Sequence, residues 1–151
     1  MNCKLSIVCL LFLCSCKDLG TAPERGLLAD HTGIADPQRR WEAYHITEYT
    51  FLQTRTCFCA DGGRNYRVTV RSGVIVKIDD PAPGSVLAAD RRGDFKTIPE
   101  LFALVQSIDP ATVASLQVTY DPRYGYPLRV YVDPSAMIAD EEYGFETSIV
   151  Q

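Results

Sequence analysis

Histidine is scarce in this sequence, and its scarcity argues against several kinds of chemistry. The 151 residues include only two histidines, His31 and His45. A nucleophilic triad needs a histidine base beside its serine or cysteine, and most zinc sites need several histidine or cysteine ligands. No Gly-x-Ser-x-Gly turn occurs in the chain either. His45 follows aromatic residues and is interpreted as a packed or edge histidine, so we expect no enzyme, no metal and no cofactor.

Long apolar runs and an excess of positive charge are also missing. The most apolar stretch, residues 5–13, is far shorter than the roughly 20 residues that a membrane-spanning helix needs, so a permanent transmembrane anchor is disfavoured. The chain has 15 basic and 19 acidic residues, a formal net charge of −4 at pH 7. A net negative charge opposes binding to the negatively charged phosphates of nucleic acid, so we expect no nucleic-acid partner.

What the first residues do carry is the pattern of an export signal. Residues 1–4 are polar and positively charged, and residues 5–13 are almost continuously apolar. The apolar stretch ends in four residues that resemble the lipobox of bacterial lipoproteins, Leu13-Cys14-Ser15-Cys16. Cys14 departs from the commoner residues at its position but is itself small and apolar. The pattern predicts a signal peptide over residues 1–15, cleavage before Cys16 and lipidation of Cys16; an ordinary signal peptide that ends near a cysteine is the alternative.

Lipidation of Cys16 would determine where the protein resides. The thiol can carry a diacylglycerol as a thioether, and the amine that cleavage frees can be acylated, for example with palmitate. Two or three acyl chains, at about 0.8 kcal/mol per buried methylene, hold a protein on a membrane. Lys17, and not aspartate, follows the cysteine, which favours the periplasmic face of the outer membrane if the source is Gram-negative. We therefore expect a cell-envelope protein whose membrane contact is the lipid on Cys16.

The rest of the chain divides into a tether and one domain. Residues 16–36 contain scattered glycine, proline and charge without a sustained apolar period, which predicts a flexible tether. Residues 37–151 have the size of a single domain. Their apolar spacing predicts the order helix, three strands, helix, three strands. Short hairpin links favour an α+β fold, an antiparallel sheet of about six strands with two helices packed on one face.

Local signals place these elements along the chain. Asp36 followed by Pro37 predicts the start of the first helix, and a capping box of Thr97 and Glu100 predicts the start of the second. The acidic, proline-bearing stretch 79–94 is interpreted as a loop. Strands are predicted from alternating apolar residues at 48–59, 66–71, 74–78, 116–120, 128–132 and 145–150.

Several short motifs, taken in order, resemble those of one protein family. They are Trp41 and Tyr44 before an aromatic strand, Cys57-Phe58-Cys59, Val68-Thr69-Val70, Gly73-Val74, residues 97–102, Val118-Thr119-Tyr120-Asp121, Tyr124-Gly125-Tyr126-Pro127 and Asp140-Glu141-Glu142. Their order over residues 41–150 is similar to that of the bacterial lipoproteins classed as domain-of-unknown-function family 6174. The resemblance implies a fold and a place in the envelope. It brings no established activity, and so it assigns no catalytic residues.

Cys57 and Cys59 are the cysteines that remain free after cleavage and lipidation at Cys16. In an oxidising envelope such a pair favours a structural disulfide, and a buried thiol pair is the other structural interpretation. On a predicted strand both side chains point to the same face, with their Cα atoms near the upper limit for a disulfide. A thiol–disulfide redox role is the alternative, although thioredoxin-type motifs have two residues between their cysteines. Metal binding by the pair lacks further soft ligands.

The loop 121–127 is the best candidate for recognition. The loop and the preceding residue Tyr120 place three tyrosines and an arginine close to Gly125 in the sequence. Tyrosine and arginine are favoured at interface anchors. The same composition also makes a rigid hairpin turn whose tyrosines pack on their own sheet, so both interpretations stay open. The candidate partner-binding residues are Tyr120, Arg123, Tyr124 and Tyr126.

Acidic residues are interpreted as a solvated rim, since they lack the spacing of a calcium loop. The residues concerned are Asp79, Asp80, Asp133, Asp140, Glu141 and Glu142. The leading hypothesis for the whole chain is a non-enzymatic, lipid-anchored envelope protein that binds an unknown envelope protein or peptide. A thiol–disulfide redox protein that uses Cys57 and Cys59 is the alternative.

Overall fold

A computed structural model of the protein describes residues 30–81 and 86–149. The predicted signal peptide, the lipid site Cys16 and most of the predicted tether lie outside the described residues. The elements are, in order, α1 (Pro37–Ala43), β1 (Tyr49–Thr56), β2 (Asn65–Arg71), β3 (Val74–Asp79), a 3-10 helix (Ala89–Asp94), α2 (Ile98–Ser107), β4 (Ser115–Tyr120), β5 (Pro127–Asp133) and β6 (Tyr143–Ile149). No helix in the two described ranges is both long and apolar enough to span a membrane.

The six strands form one sheet in the order β3-β2-β1-β6-β5-β4, and every neighbouring pair is antiparallel. Each half of the chain therefore forms a three-stranded meander, and the two meanders meet where β1 pairs with β6. In that central pairing Gln53 lies opposite Thr147, and Thr56 lies opposite Gly144. The predicted α+β fold and its order of helices and strands are confirmed.

Because the strands alternate in direction, the two ends of the sheet carry different loops. One end carries the connection from α1 to β1, the β4–β5 loop and the last residues of β6. The opposite end carries the β1–β2 loop, which contains Cys57 and Cys59, and the β5–β6 loop. The two candidate sites of the sequence are thus separated by the length of the strands.

Side-chain caps begin both α-helices, as the sequence predicts. The Asp36 carboxylate accepts a hydrogen bond from the Arg39 N–H (2.8 Å), and Pro37 occupies the first turn of α1. In α2, Thr97 Oγ1 accepts from the Glu100 N–H (3.3 Å), while the Glu100 carboxylate accepts from the Thr97 N–H (2.7 Å). These caps satisfy N–H groups that have no partner inside a helix.

The helices pack against one face of the sheet and cover its apolar side chains. Alternate residues of β1 and β2 point to this face, whereas the residues between them are only partly covered. Burial of these side chains is the main favourable contribution to folding. The buried cluster consists of Trp41, Tyr49, Phe51, Tyr66, Val68, Val70, Ile75, Ile78, Phe95, Ile98, Leu101, Phe102, Tyr126 and Phe145.

The prediction that Cys57 and Cys59 lie on a strand is wrong. Strand β1 ends at Thr56, and the chain bends through both cysteines. The bend is closed by a hydrogen bond from the Gly63 N–H to the Arg55 carbonyl (2.8 Å). Alternation of residue types continues past Thr56, and only the loop's own hydrogen bonds reveal where the strand stops.

The prediction that residues 79–94 form a loop is wrong for their last part. Ala89–Asp94 forms a 3-10 helix, and within it Arg91 Nε donates to the Asp94 carboxylate (2.6 Å). Asp94 also pairs with Nη1 of Arg55 on β1 (3.2 Å). The ion pair with Arg55 therefore joins this helix to a distant strand. Nothing in the local sequence indicates that partner.

Candidate functional site

An open groove of about 830 Å³ lies at the end of the sheet where β1 begins and β6 ends. One wall is the connection between α1 and β1, and the other is the β4–β5 loop. We call this feature the tyrosine groove, because four tyrosines contribute to it. It is lined by Tyr44, His45, Ile46, Thr47, Glu48, Tyr49, Asp121, Arg123, Tyr124, Tyr126 and Ile149.

Asp121 organises the β4–β5 loop. Its Oδ1 accepts hydrogen bonds from the N–H groups of Arg123 (2.9 Å) and Tyr124 (2.6 Å). Its own N–H donates to the Tyr126 carbonyl (2.8 Å), and its carbonyl accepts from the Gly125 N–H (2.9 Å). Because these hydrogen bonds all converge on one residue, this wall of the groove is preformed.

The same loop docks closely on helix α1. Gly125 has a φ of +83°, and a Cβ at this position would lie 2.2 Å from the Pro37 carbonyl oxygen, so only glycine fits. Arg40 of α1 donates from Nη1 to the Pro122 carbonyl (2.6 Å) and from Nε to the Ile34 carbonyl (2.8 Å). Direct backbone contact therefore sets the distance between α1 and the loop, and with it the width of the groove.

Tyr44 contacts both the β4–β5 loop and the segment that precedes α1. Its hydroxyl donates to the Arg123 carbonyl (3.3 Å) and accepts from the His31 N–H (3.3 Å). Its ring centroid lies 5.0 Å from that of Tyr124 and 4.7 Å from that of His31. The last residues of the predicted tether thus contact the domain beside the groove.

The base of the groove is uncharged at neutral pH. Burial raises the pKa of Tyr49 to about 12, and its hydroxyl accepts a hydrogen bond from the Ile98 N–H (3.0 Å). Burial also raises the pKa of Tyr126, whose hydroxyl accepts from the Ile149 N–H (3.3 Å). Both phenols therefore remain protonated. The charged lining residues are Glu48, Asp121 and Arg123.

Three of the four residues proposed for recognition from the sequence meet in this groove: Arg123, Tyr124 and Tyr126. The Arg123 guanidinium lies 5.2 Å from the centroid of the Tyr124 ring, and Arg123 is exposed to solvent. Tyr120 lies elsewhere: its ring stacks on Phe102 of α2, with centroids 6.1 Å apart and planes 13° apart. Tyr120 therefore contacts α2 and does not line the groove.

Sequence reasoning missed the wall formed by residues 44–48 and the base residue Tyr49. These residues are far from the β4–β5 loop in the chain, and no local pattern relates the two segments. The only signal of this wall in the sequence is that Tyr44 and Tyr49 stand on either side of a short connection between helix and strand. Such a pair is common in cores and does not by itself indicate a groove.

The predicted solvated acidic rim is wrong for Asp79 and Asp80. Both residues are buried at the end of β3. Arg67 Nη1 (3.2 Å) and Lys77 Nζ (3.0 Å) flank the Asp79 carboxylate, and Arg64 pairs with Asp80. These opposite charges compensate the burial. Within the part of the chain that the structure describes, no three histidine, cysteine or acidic side chains are grouped to hold a metal ion.

The cysteine pair lies at the end of the sheet opposite the groove. The Sγ atoms of Cys57 and Cys59 are within bonding contact, and their Cα atoms are 5.3 Å apart. An extended strand would hold the Cα atoms of two such residues about 6.5 Å apart, so the bend after Thr56 brings them together. Nη2 of Arg55 lies 3.2 Å from the Sγ atom of Cys59.

These observations define a class of protein: a small α+β domain whose antiparallel sheet carries a preformed aromatic groove at one end. Residues 34–151 match the family of unknown function (DUF6174). The match covers most of the chain, so the chain belongs to this family, and the resemblance of its motifs is confirmed. Neither the curated proteins nor the solved structures contain a significant match to the chain.

Proposed function

We propose that the chain is a lipid-anchored bacterial envelope protein that binds a peptide or protein segment in the tyrosine groove and carries out no chemistry there. The tyrosine groove is the observation that carries this proposal. Its volume lies in the range of ligand-binding clefts, and its lining combines an apolar aromatic base with a few polar groups at the rim.

The chemistry of the lining suits a polypeptide. Tyrosine and arginine are enriched among residues that anchor protein interfaces. The exposed Arg123 guanidinium offers a donor for a carboxylate or carbonyl. The exposed carboxylate of Glu48 pairs with Arg71 through Oε2 (3.2 Å), and its other oxygen offers an acceptor for N–H groups. The β4–β5 loop is already held by Asp121, so little conformational entropy is lost on binding.

The predicted lipid anchor on Cys16 would join the domain on the side of the tyrosine groove. The chain from Cys16 to Asp30 extends at most about 50 Å, and His31 contacts Tyr44 of the groove. Lipidation of Cys16 would therefore keep the groove end of the domain within that distance of the membrane. The expected partner is an envelope protein with a segment that is accessible near the membrane surface.

Site-specific photo-crosslinking in the native envelope tests the binding site. A crosslinking residue at Thr47, an exposed position in the groove, is compared with one at Gln117, an exposed position on β4 outside it. We expect a defined crosslinked partner from Thr47 only, and its loss when Arg123→Glu is added. A crosslink of equal yield from Gln117, no crosslink from Thr47, or a crosslink that survives Arg123→Glu would overturn the proposal.

Lipid labelling tests the anchor separately. Replacement of Cys16 by alanine is expected to abolish incorporation of labelled palmitate and to leave an uncleaved precursor, because the modified thiol is gone. Cys14→Ala is the matched control, because alanine is common at that lipobox position, and labelling should persist. Unchanged labelling of the Cys16→Ala variant would contradict the assignment of the anchor.

A further inference from the structure

The β1–β2 loop holds its cysteine pair in contact with solvent, at the end of the sheet opposite the groove. Cys59 is exposed and Cys57 is half-buried, and Phe58 between them has a relative exposure of 84%. Neither cysteine belongs to the buried cluster that holds the helices on the sheet. Exposed disulfides are typically the labile or catalytic ones, whereas structural ones resist reduction.

A bond between Cys57 and Cys59 closes a very small loop, because one residue separates them. The stabilisation that a disulfide provides by restricting the unfolded chain grows with the length of the loop that it closes. For Cys57 and Cys59 this stabilisation is close to its minimum. Opening the bond therefore costs the fold little, which permits the pair to cycle between disulfide and dithiol.

Arg55 places a positive charge beside one of the two sulfurs. Its Nη2 lies 3.2 Å from Cys59 Sγ, while its Nη1 lies 3.2 Å from the Asp94 carboxylate. The Phe95 ring lies beneath the guanidinium, 5.9 Å from its centre. Asp94 also binds Arg91, which in turn pairs with Asp61 (3.2 Å). Arg55 is therefore held in position, and its carboxylate partner is shared with a second arginine.

A fixed guanidinium next to a sulfur stabilises the thiolate over the thiol. We infer that Cys57 and Cys59 form a thiol–disulfide exchange site for exported proteins that carry a dithiol. Cys59 is the leaving sulfur, and Arg55 stabilises its thiolate. The exposed Phe58 supplies an apolar contact for the incoming protein. This inference does not depend on the tyrosine groove.

The exchange proceeds in two balanced steps. A thiolate of the incoming dithiol attacks Cys57 Sγ, the Cys57–Cys59 bond breaks, and its electron pair leaves on Cys59 Sγ beside Arg55. The second thiol of the incoming protein loses its proton and attacks the mixed disulfide, which expels the Cys57 thiolate. Protons released by the incoming dithiol return to the two cysteines. The pair is reduced by two electrons, and the dithiol is oxidised to a disulfide.

The test uses the mature exported protein in detergent, with dithiothreitol as the dithiol probe. The rate of reduction is measured by acid quenching and mass spectrometry. The pH midpoint for alkylation of Cys59 in the reduced protein is measured by peptide mapping. We expect a midpoint below the ordinary cysteine value of about 8.5. Arg55→Met should raise that midpoint and slow reduction several-fold, because the leaving thiolate loses its charge partner.

Two further variants separate chemistry from structure. Asp94→Asn breaks the same ion pair as Arg55→Met but leaves the arginine charge unopposed, so it should lower the Cys59 midpoint and accelerate exchange. Arg92→Met removes a neighbouring exposed charge with no sulfur contact, and it should match the wild type. Equal rates in the wild type and Arg55→Met, or shifts of the same sign in Arg55→Met and Asp94→Asn, would overturn the assignment of Arg55 and of the exchange site.

Discussion

The side-chain amide of Gln53 hydrogen-bonds to both backbone polar groups of Lys96. Its Nε2 donates to the Lys96 carbonyl (3.1 Å), and its Oε1 accepts from the Lys96 N–H (3.0 Å). Gln53 lies in the middle of β1 and is fully buried. The pair of bonds ties the chain just before α2 to the central strand. The capping box at Thr97 begins one residue later, so this contact fixes where α2 starts on the sheet.

Replacement of Gln53 by leucine is expected to lower the free energy of unfolding by about 2–4 kcal/mol. Leucine fills similar space but leaves the Lys96 N–H and carbonyl without partners, and each buried unpaired group costs about 1–3 kcal/mol. Urea denaturation of the two proteins measures the difference. Gln117→Leu, an exposed substitution on β4, is the control and should change stability by less than about 0.5 kcal/mol. Similar losses in both variants would show that the Lys96 contact is not responsible.

Gly125 and Gly73 form a matched pair for testing how α1 and the β4–β5 loop meet. Both have positive φ, +83° and +76°, but a Cβ at Gly73 meets open space while one at Gly125 meets Pro37. Gly73→Ala should therefore cost only the left-handed strain of about 1–2 kcal/mol. Gly125→Ala should cost more than about 3 kcal/mol, because the loop must also move away from α1. Equal changes in the urea midpoint for the two variants would contradict the close contact.

Alkaline pH is expected to destabilise the domain through Tyr49. Its pKa is about 12 in the folded protein, against an ordinary value of 10.0, because burial disfavours the phenolate. The folded state therefore binds this proton more tightly than the unfolded state. The stabilisation is fully present below pH 10 and is lost as pH rises from 10 towards 12, by up to about 2.5 kcal/mol.

Denaturation midpoints measured between pH 8 and pH 11.5 check this expectation. Tyr49→Phe is the control, because it cannot ionise. It should be less stable at pH 8 by about 1 kcal/mol, since the Ile98 N–H loses its acceptor. It should also lose less stability at high pH than the wild type. Parallel pH profiles for the two proteins would mean that Tyr49 does not contribute.

Cys57 and Cys59 are expected to be joined to each other in the exported protein. Mass spectrometry after alkylation without reduction should find neither thiol modified. The bond should contribute only about 1.5 kcal/mol, less than the 2–4 kcal/mol typical of longer loops. The double variant Cys57→Ser with Cys59→Ser should therefore stay folded, with a correspondingly small shift of its urea midpoint. Two freely alkylated thiols, or cysteines linked between chains, would contradict the prediction.

The secondary structure was readable from the sequence because its signals are local. Thr97 and Glu100 cap a helix through contacts within one turn, and alternation along β2 follows from which side chains face the core. The end of β1 was missed because hydrogen bonds within the β1–β2 loop stop the strand at Thr56, and the 3-10 helix was missed for another reason. Asp94 pairs with Arg91 inside that helix and with Arg55 on β1, and no spacing within residues 79–94 indicates the second partner.

The candidate site was only half visible in the sequence. Arg123, Tyr124 and Tyr126 share one short loop, so their proximity followed from chain connectivity. Tyr120 was grouped with them for the same reason, but the register of β4 directs its ring to Phe102. The opposite wall required knowledge of where α1 lies against the β4–β5 loop, and that position depends on the fit of Gly125 against Pro37.

Capping, alternation and turn residues were sufficient to establish an α+β domain with two α-helices and six strands, because each of these features depends on residues a few positions apart. The pairing of β1 with β6 joins segments from opposite ends of the domain. That pairing and the packing of the helices on the sheet produce both the tyrosine groove and the arrangement of Arg55 beside Cys59 and Asp94. Such contacts depend on shape complementarity between distant segments, and the periodicity of a single segment carries no information about them.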